Sequence, residues 1–209
     1  MKKTLLLCFV FLLWNDLFAQ SPLYFQTPKT LEFGPRLGFT TSILNSDDAS
    51  LGKSQVRLAF MGGIFARYQL SEKFALQVEA DYAPRGGGFV NGEKMKLTFL
   101  DLPVTAVYNV HYKMFGKPAT FDVFAGVQPS FILDALSGTT DIKSDLNSSG
   151  VDLVLGSGFP MWRFLFYATT KIGLSDLNKS AVNGKMKSIV TEWTVSYRIG
   201  GKNAADVPQ

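Results

Sequence analysis

Residues 32–43 read EFGPRLGFTTSI, and two kinds of side chain alternate along this stretch. Apolar residues dominate the odd positions from Phe33 to Ile43, whereas both charges, Glu32 and Arg36, occupy even positions. Successive side chains of an extended chain point to opposite sides, so a period of two predicts a β-strand with one apolar and one polar face.

The same alternation recurs along most of the remaining chain. It predicts seven further strands, at 56–70, 74–83, 95–110, 119–133, 150–159, 162–174 and 188–199. Charges provide a separate test. In five of the six predicted strands that contain two charges, the two charged positions have the same parity, both odd or both even, and so face the same side of the sheet. Lys96 and Asp101 are the exception. The sequence therefore predicts an all-β protein with one consistently polar sheet face.

The lengths of the connections between these strands also alternate. The long connections are 44–55, 84–94, 134–149 and 175–187, and the shorter ones are 71–73, 111–118 and 160–161. Short turns at one end and long polar loops at the other predict an eight-stranded antiparallel up-and-down transmembrane β-barrel, with its long loops outside the cell and its turns in the periplasm. We expect Pro103 and Pro129 at bulges or rim positions, because a closed barrel has no free edge for a residue without an N–H group.

A soluble lipocalin-like barrel is the alternative that alternation alone leaves open. Such a barrel has an apolar interior and a polar exterior, which is the reverse of a membrane barrel. Two features favour the membrane: the apolar set is rich in Phe, Leu, Val, Ile and Tyr, and aromatic residues lie mostly toward the strand ends, as in interfacial girdles. These aromatic residues are Tyr68, Tyr82, Tyr108, Trp162, Trp193 and Tyr197.

The amino terminus has the pattern of an export signal. Lys2 and Lys3 precede an apolar segment at 4–14, and signal peptidase is expected to cut after Ala19. Cleavage removes the only cysteine, Cys8, and leaves 19 basic and 16 acidic residues, a net charge of +3 that is too small to indicate nucleic-acid binding. The predicted organisation is a signal peptide at 1–19, a periplasmic segment at 20–31, the barrel at 32–199 and a periplasmic tail at 200–209.

The polar parity collects charges of both signs that are expected to face the lumen. An eight-stranded barrel has room only for side chains inside, and buried charges persist only when they are paired. We therefore predict a network of ion pairs that fills the bore. Glu32 is also expected to face inward, because it lies on the polar side of its strand. The predicted network comprises Arg36, Arg57, Arg67, Glu79, Asp81, Asp101, Asp122, Asp152, Arg163, Lys171, Glu192 and Arg198.

Motifs for catalysis, cofactors or metals are weak. The only histidine, His111, falls in the short-turn connection 111–118, whereas an enzyme acting on outer-leaflet lipid needs its base near the cell exterior. The segment Gly52-Lys53-Ser54 lacks the glycine and the helix of a phosphate-binding loop. Asp141 and Asp145, like the aspartates at 47–48, are expected to be solvated loop carboxylates. We expect no enzymatic activity, no cofactor and no metal.

Six short stretches together resemble a known family. They are GPRLGFT at 34–40, FALQVEADY at 74–82, FLDLP at 99–103, GVQPS at 126–130, VDLVLGSG at 151–158 and GLSDL at 173–177. In order and spacing they resemble the outer-membrane β-barrel family common in Bacteroidetes, often labelled porin-family or PorT-like. Asp101 stands where that family usually has Glu, and Tyr197 is the candidate for the terminal aromatic residue that the barrel assembly machinery reads.

The resemblance implies an outer-membrane location and eight strands, but it does not specify a molecular role. A structural or interaction barrel in secretion or envelope assembly is the favoured hypothesis, followed by a small-solute porin and then by a lipid-modifying enzyme. The expected partners are outer-membrane lipid, the barrel assembly machinery and an unidentified protein. The barrel itself is expected to be a monomer that binds no nucleic acid.

Overall fold

The computed structural model describes residues 29–46, 54–89, 94–114, 117–179 and 186–200. The predicted signal peptide, residues 20–28 and the tail at 201–209 lie outside the described residues, as do the aspartates at 47–48 and the residues at 52–53. The β segments are β1 Leu31–Ser46, β2 Ser54–Gln55, β3 Arg57–Gln69, β4 Phe74–Phe89, β5 Met95–Asp101, β6 Val104–Met114, β7 Lys117–Ser137, β8 Thr140–Asp141, β9 Ser149–Met161, β10 Phe164–Gly173, β11 Met186–Tyr197 and β12 Ile199–Gly200.

These segments form one closed antiparallel sheet. Three barrel strands are divided into two segments each, because β2 and β3 both pair with β4, β5 and β6 both lie between β4 and β7, and β11 and β12 both pair with β1. The short segment β8 pairs only with the end of β7, inside a loop. Pairing of β1 with β11 closes the sheet. The predicted eight-stranded antiparallel barrel is therefore confirmed.

The register of the sheet determines how far its strands tilt. Following paired residues from Thr41 around the barrel, through β11, β10, β9, β7, β6, β4 and β3, leads back to β1 at Leu31, ten residues lower. Such a stagger requires strands that are inclined to the barrel axis, typically by about 35–45°. An eight-stranded barrel of this kind encloses a space that side chains can fill.

The two faces of the sheet differ in polarity as a membrane barrel requires. Large apolar side chains are exposed on the outer face, and Phe60 (85%), Leu37 (68%) and Ile64 (62%) are among the most exposed. The inward parity instead holds most of the buried charged and polar residues, including Arg36 and Asp101. This polarity excludes the lipocalin-like alternative. No helix in the described part of the chain is long and apolar enough to cross a membrane.

Several strand ends differ from the sequence prediction. β4 continues to Phe89, six residues past its predicted end, and β7 continues to Ser137. The turn between β9 and β10 lies at residues 162–163 rather than 160–161. His111 belongs to β6, where it pairs with Thr120, and not to a turn. Strands thus extend into segments that the sequence had predicted as connections.

The two prolines lie within the barrel wall, and the expectation of bulges or rim positions for them is wrong. The pairing of β5 and β6 with β7 keeps one register on both sides of Pro103, and Pro129 pairs with Val151 inside β7. The register shift occurs elsewhere, between Thr98 and Phe99. Leu102 N donates to Pro129 O (2.9 Å), and Glu79 N donates to Pro103 O (3.0 Å), so the carbonyl of each proline accepts a hydrogen bond from a neighbouring strand. Each proline lacks only the hydrogen bond that a backbone N–H group would donate.

Candidate functional site: the closed barrel interior

Arg85 occupies the centre of a charged layer inside the barrel. Its Nη1 atom lies 2.8 Å from Asp152 Oδ2, and its Nη2 atom contacts Asp101 Oδ2. The guanidinium group also lies 4.7 Å from the ring centre of Phe99. Gln128 Nε2 donates a further hydrogen bond to Asp152 Oδ2 (2.8 Å). One arginine therefore joins carboxylates from β5 and β9 across the lumen.

The charged layer continues through two more cations. Lys171 Nζ lies 3.4 Å from Asp101 Oδ2 and 2.7 Å from Glu192 Oε1. On the other side, Arg36 pairs with Glu79, and its Nη1 atom lies 3.4 Å from Asp81 Oδ2. These cations and carboxylates come from β1, β4, β5, β9, β10 and β11. These ion pairs therefore connect strands from several sides of the barrel across its interior.

A second polar cluster lies toward the short-turn end of the interior. Arg67 Nη1 donates to Asp122 Oδ2 (2.9 Å) and to Tyr167 Oη (2.6 Å), while Tyr167 Oη donates to Asp122 Oδ2 (2.7 Å). Asn109 Nδ2 donates to Asp122 Oδ1 (2.6 Å). Both carboxylate oxygens of Asp122 are thus hydrogen-bonded, as a fully buried charge requires.

Apolar side chains fill the space beside these polar groups. One buried cluster lies next to the Asp122 group and includes Phe124 and Tyr167, whose ring centres are 5.0 Å apart. A second buried cluster occupies the long-loop end. It consists of Leu44, Leu97, Phe99, Ile132, Ala135, Leu146, Leu177 and Met186. Charged and apolar side chains therefore line the interior from its short-turn end to its long-loop end.

Two of the loops meet at the long-loop end. Leu146 and Leu177 extend from the loops that follow β8 and β10, and both are buried in the apolar cluster. The loops are also bonded to each other: Asn147 Nδ2 donates to Asp176 O (2.9 Å) and Asn178 O (3.0 Å), and Lys179 N donates to Asp145 O (3.0 Å). These contacts form a loop platform, defined here as residues 142–148 and 174–179, over the mouth of the barrel.

Most of the residues predicted for the lumen network do lie in the interior. The buried or nearly buried members are Arg36, Arg67, Glu79, Asp81, Asp101, Asp122, Asp152, Lys171, Glu192 and Arg198. Glu32, which shares their parity, lies 3.5 Å from Arg198. Arg57 is only partly buried, and its Nη1 atom donates to Arg85 O.

Two arginines were misplaced by the sequence prediction. Arg163 is exposed in the turn between β9 and β10 and is not a lumen residue, because β10 begins one residue later than this arginine. Arg85 was missed because residues 84–94 were predicted to be a long loop. The sequence nevertheless contained a signal for its position. Glu79, Asp81 and Arg85 are separated by even numbers of residues, so a continuous strand places all three side chains on the same face.

The two loop aspartates singled out in the sequence have local hydrogen bonds. Asp141 Oδ1 accepts from Lys143 N (2.9 Å), and Asp145 Oδ1 accepts from Ser144 Oγ (3.3 Å). The bond from Lys143 N stabilises the short 3-10 turn Lys143–Asp145, which forms part of the loop platform.

A closed barrel with an apolar exterior and a charged interior defines an outer-membrane type of β-barrel. The chain belongs to the family described as outer membrane protein beta-barrel domain, whose model matches residues 18–179. Membership implies an outer-membrane location.

Several solved bacterial β-barrel structures match the fold of this chain. Neisserial surface protein A is 14% identical with a TM-score of 0.49, over 80% of this chain and 97% of that one. Ail, the attachment invasion locus protein of Yersinia pestis, is 14% identical with a TM-score of 0.43, over 83% and 100%. The N-terminal β-barrel domain of Pseudomonas aeruginosa OprF is 12% identical with a TM-score of 0.42, over 83% and 100%. No curated protein sequence matches the chain significantly.

Proposed function

We propose that this protein is a non-conducting outer-membrane barrel that acts by binding a partner, and that it is not an enzyme or a general porin. One observation carries the proposal: Arg85 joins Asp101 and Asp152 across the centre of the bore. A solute would have to break these buried ion pairs and then pass the apolar cluster around Leu146 and Leu177.

The loop platform supports a binding role. Its two loops are held together by backbone and Asn147 hydrogen bonds and anchored by buried leucines, so little conformational entropy remains to be lost when a partner binds. Exposed groups of both signs lie on or beside it, including Asp134, Lys143 and Asp145. In the proposed orientation this platform faces the cell exterior, and the turns at 70–73 and 162–163 face the periplasm.

The finer assignment follows from the sequence resemblance. We infer that the chain is a PorT-like barrel of the Bacteroidetes type, exported through a signal peptide cleaved after Ala19, folded by the barrel assembly machinery and present as a monomer. Its role would then lie in secretion or envelope assembly, through an unidentified protein partner.

Single-channel recording in planar bilayers tests the closed interior. The purified protein is expected to give no steady conductance. A steady, large conductance would contradict the proposal and favour the small-solute porin. Mild crosslinking in native outer membranes tests the partner: a reproducible crosslinked protein is expected, and its loss after substitution of Lys143 and Asp145 would locate the contact on the loop platform.

A further inference from the structure

The hairpin of β6 and β7 extends past its neighbouring strands at the short-turn end of the barrel. β4 begins at Phe74, and the pairing of β9 with β7 ends at Asp122. The ladder between β6 and β7 continues past Asn109 and Asp122 for five more residue pairs, the last being Met114 with Lys117. At about 3.3 Å per residue, this extension is about 16 Å long. We call it the hairpin ribbon, and it comprises residues 110–114 and 117–121.

Both faces of the β6 strand are exposed in the hairpin ribbon, unlike those of the barrel wall. Exposed and buried side chains alternate from Val104 to Val110, whereas His111, Tyr112 and Lys113 are exposed in succession. Val110 and Tyr112 continue the outward side of β6, and His111 and Lys113 continue its inward side. The ribbon therefore projects beyond the wall and no longer encloses the interior.

One backbone edge of the hairpin ribbon has no strand beside it in the described part of the chain. Asn109 N donates to Lys73 O (2.8 Å), so the odd-numbered residues of β6 direct their backbone N–H and C=O groups toward the β4 side. His111 and Lys113 direct theirs to the same side, but the pairing with β4 ends before them. Unpaired backbone groups in a row are the usual template for adding another strand.

Positive charge predominates on and beside this edge. Residues 110–121 contain two lysines and one histidine but no Asp or Glu. Lys73, which adjoins the edge, is exposed, and so is Glu72 before it. A strand added at the edge has one face beside Lys113 and the other beside Tyr112. Since side chains on paired strands interact face by face, charge and polarity favour a strand in which acidic and apolar residues alternate.

We infer that the free edge of β6 at residues 111–113 binds an extended segment of a protein partner in which acidic and apolar residues alternate. The backbone of that segment hydrogen-bonds to His111 and Lys113, its carboxylates face Lys113, and its apolar side chains lie against Val110 and Tyr112. In strand addition, main-chain hydrogen bonds supply affinity and alternate side chains supply specificity. The inference concerns the opposite end of the barrel from the loop platform. It rests on the proposed function only for the orientation, which places the ribbon in the periplasm.

The test measures binding of labelled peptides to the purified full chain in a zwitterionic detergent by fluorescence anisotropy. The probes are two short peptides of equal length, one of alternating Val and Glu and one of alternating Val and Lys. The unmodified protein is expected to bind the Glu peptide about tenfold more tightly, because opposite charges stabilise a strand pair and like charges destabilise it. Equal affinities, or no binding of either peptide, would overturn the inference.

Backbone variants separate strand pairing from general electrostatic attraction. His111→Pro removes an N–H group on the free edge and leaves the ladder to β7 intact, because proline is tolerated where its nitrogen faces away from the sheet. The loss of this hydrogen bond is expected to weaken binding of the Glu peptide about tenfold. The matched control His111→Gln keeps the N–H group and is expected to leave the affinity unchanged. Binding that survives His111→Pro would not involve strand pairing and would overturn the inference.

A charge reversal tests the chemistry of the partner. Lys113→Glu is expected to reverse the preference, so that the Lys peptide binds more tightly, whereas Lys187→Glu, at the long-loop end, is expected to keep it. An unchanged preference in Lys113→Glu would overturn the inference. So would conversion of a dimer to a monomer by His111→Pro, which would make a second copy the occupant of the edge. The gel shift between unheated and boiled samples verifies folding, and bilayer conductance tests the closed interior separately.

Discussion

Replacing Arg85 by Met should destabilise the barrel more than any substitution of an exposed arginine. The change keeps most of the side-chain volume but removes two buried charged contacts, to Asp101 and Asp152, each contributing about 1.5–3 kcal/mol. Breaking a buried ion pair typically costs about 3–5 kcal/mol. Lys171 still neighbours Asp101, and Gln128 still donates to Asp152, so the lower end of that range, about 3 kcal/mol, is expected.

Urea unfolding in lipid vesicles, followed by tryptophan fluorescence, measures this effect. Arg163→Met is the matched control and should change the free energy of unfolding by no more than about 0.5 kcal/mol, because Arg163 is exposed. The double variant Arg85→Met/Asp152→Asn should be more stable than Arg85→Met alone, since Asp152 loses the cation that faces it whereas Asp101 keeps Lys171. A loss below about 1 kcal/mol for Arg85→Met, or equal losses for Arg85→Met and Arg163→Met, would refute the idea of a buried, paired interior.

Three further experiments address topology, processing and closure. A cysteine at Ser144 should react with an impermeant maleimide on intact cells, whereas one at Lys117 should not; the reverse pattern would invert the topology. The protein should fractionate with outer membranes, require detergent and begin at Gln20, which cell fractionation and terminal sequencing can check, and a detergent-free monomer would contradict this. Gly34→Ala should lower the free energy of unfolding by about 1–3 kcal/mol in urea titrations, because the added methyl group meets Tyr197 O across β1 and β11, and an unchanged midpoint would disprove that contact.

Parity along the strands was enough to predict which side chains face the interior. It placed Arg36, Arg67 and Asp122 correctly, because a period of two is a local property of extended chain. It could not predict which charges pair, since Arg67 and Asp122 belong to strands that are not neighbours and meet only across the lumen. That meeting depends on the ten-residue stagger of the sheet, a property of all eight strands together.

Errors arose where strand ends had to be inferred from composition. The glycines at 86–88 agreed with a predicted loop at 84–94, yet β4 continues to Phe89 and carries Arg85 into the lumen. Gly86 has φ +142°, a value that L side chains rarely adopt, so glycine there permits a strand to continue in an unusual conformation. The loop contacts of Leu146 and Leu177 had no periodic signal at all.

Closure between β1 and β11 also constrains how the molecule can form. Eleven consecutive residue pairs join them, from Arg36 with Ser196 to Ser46 with Met186, although the paired residues are 140 to 160 positions apart. Contacts this distant in sequence form slowly, because a long chain loop must close before they contribute. Until the final strand arrives, both of these strands expose unpaired edges that can pair with other chains. The barrel therefore cannot close before its last strand is available, and the incomplete sheet must be kept from aggregating until then.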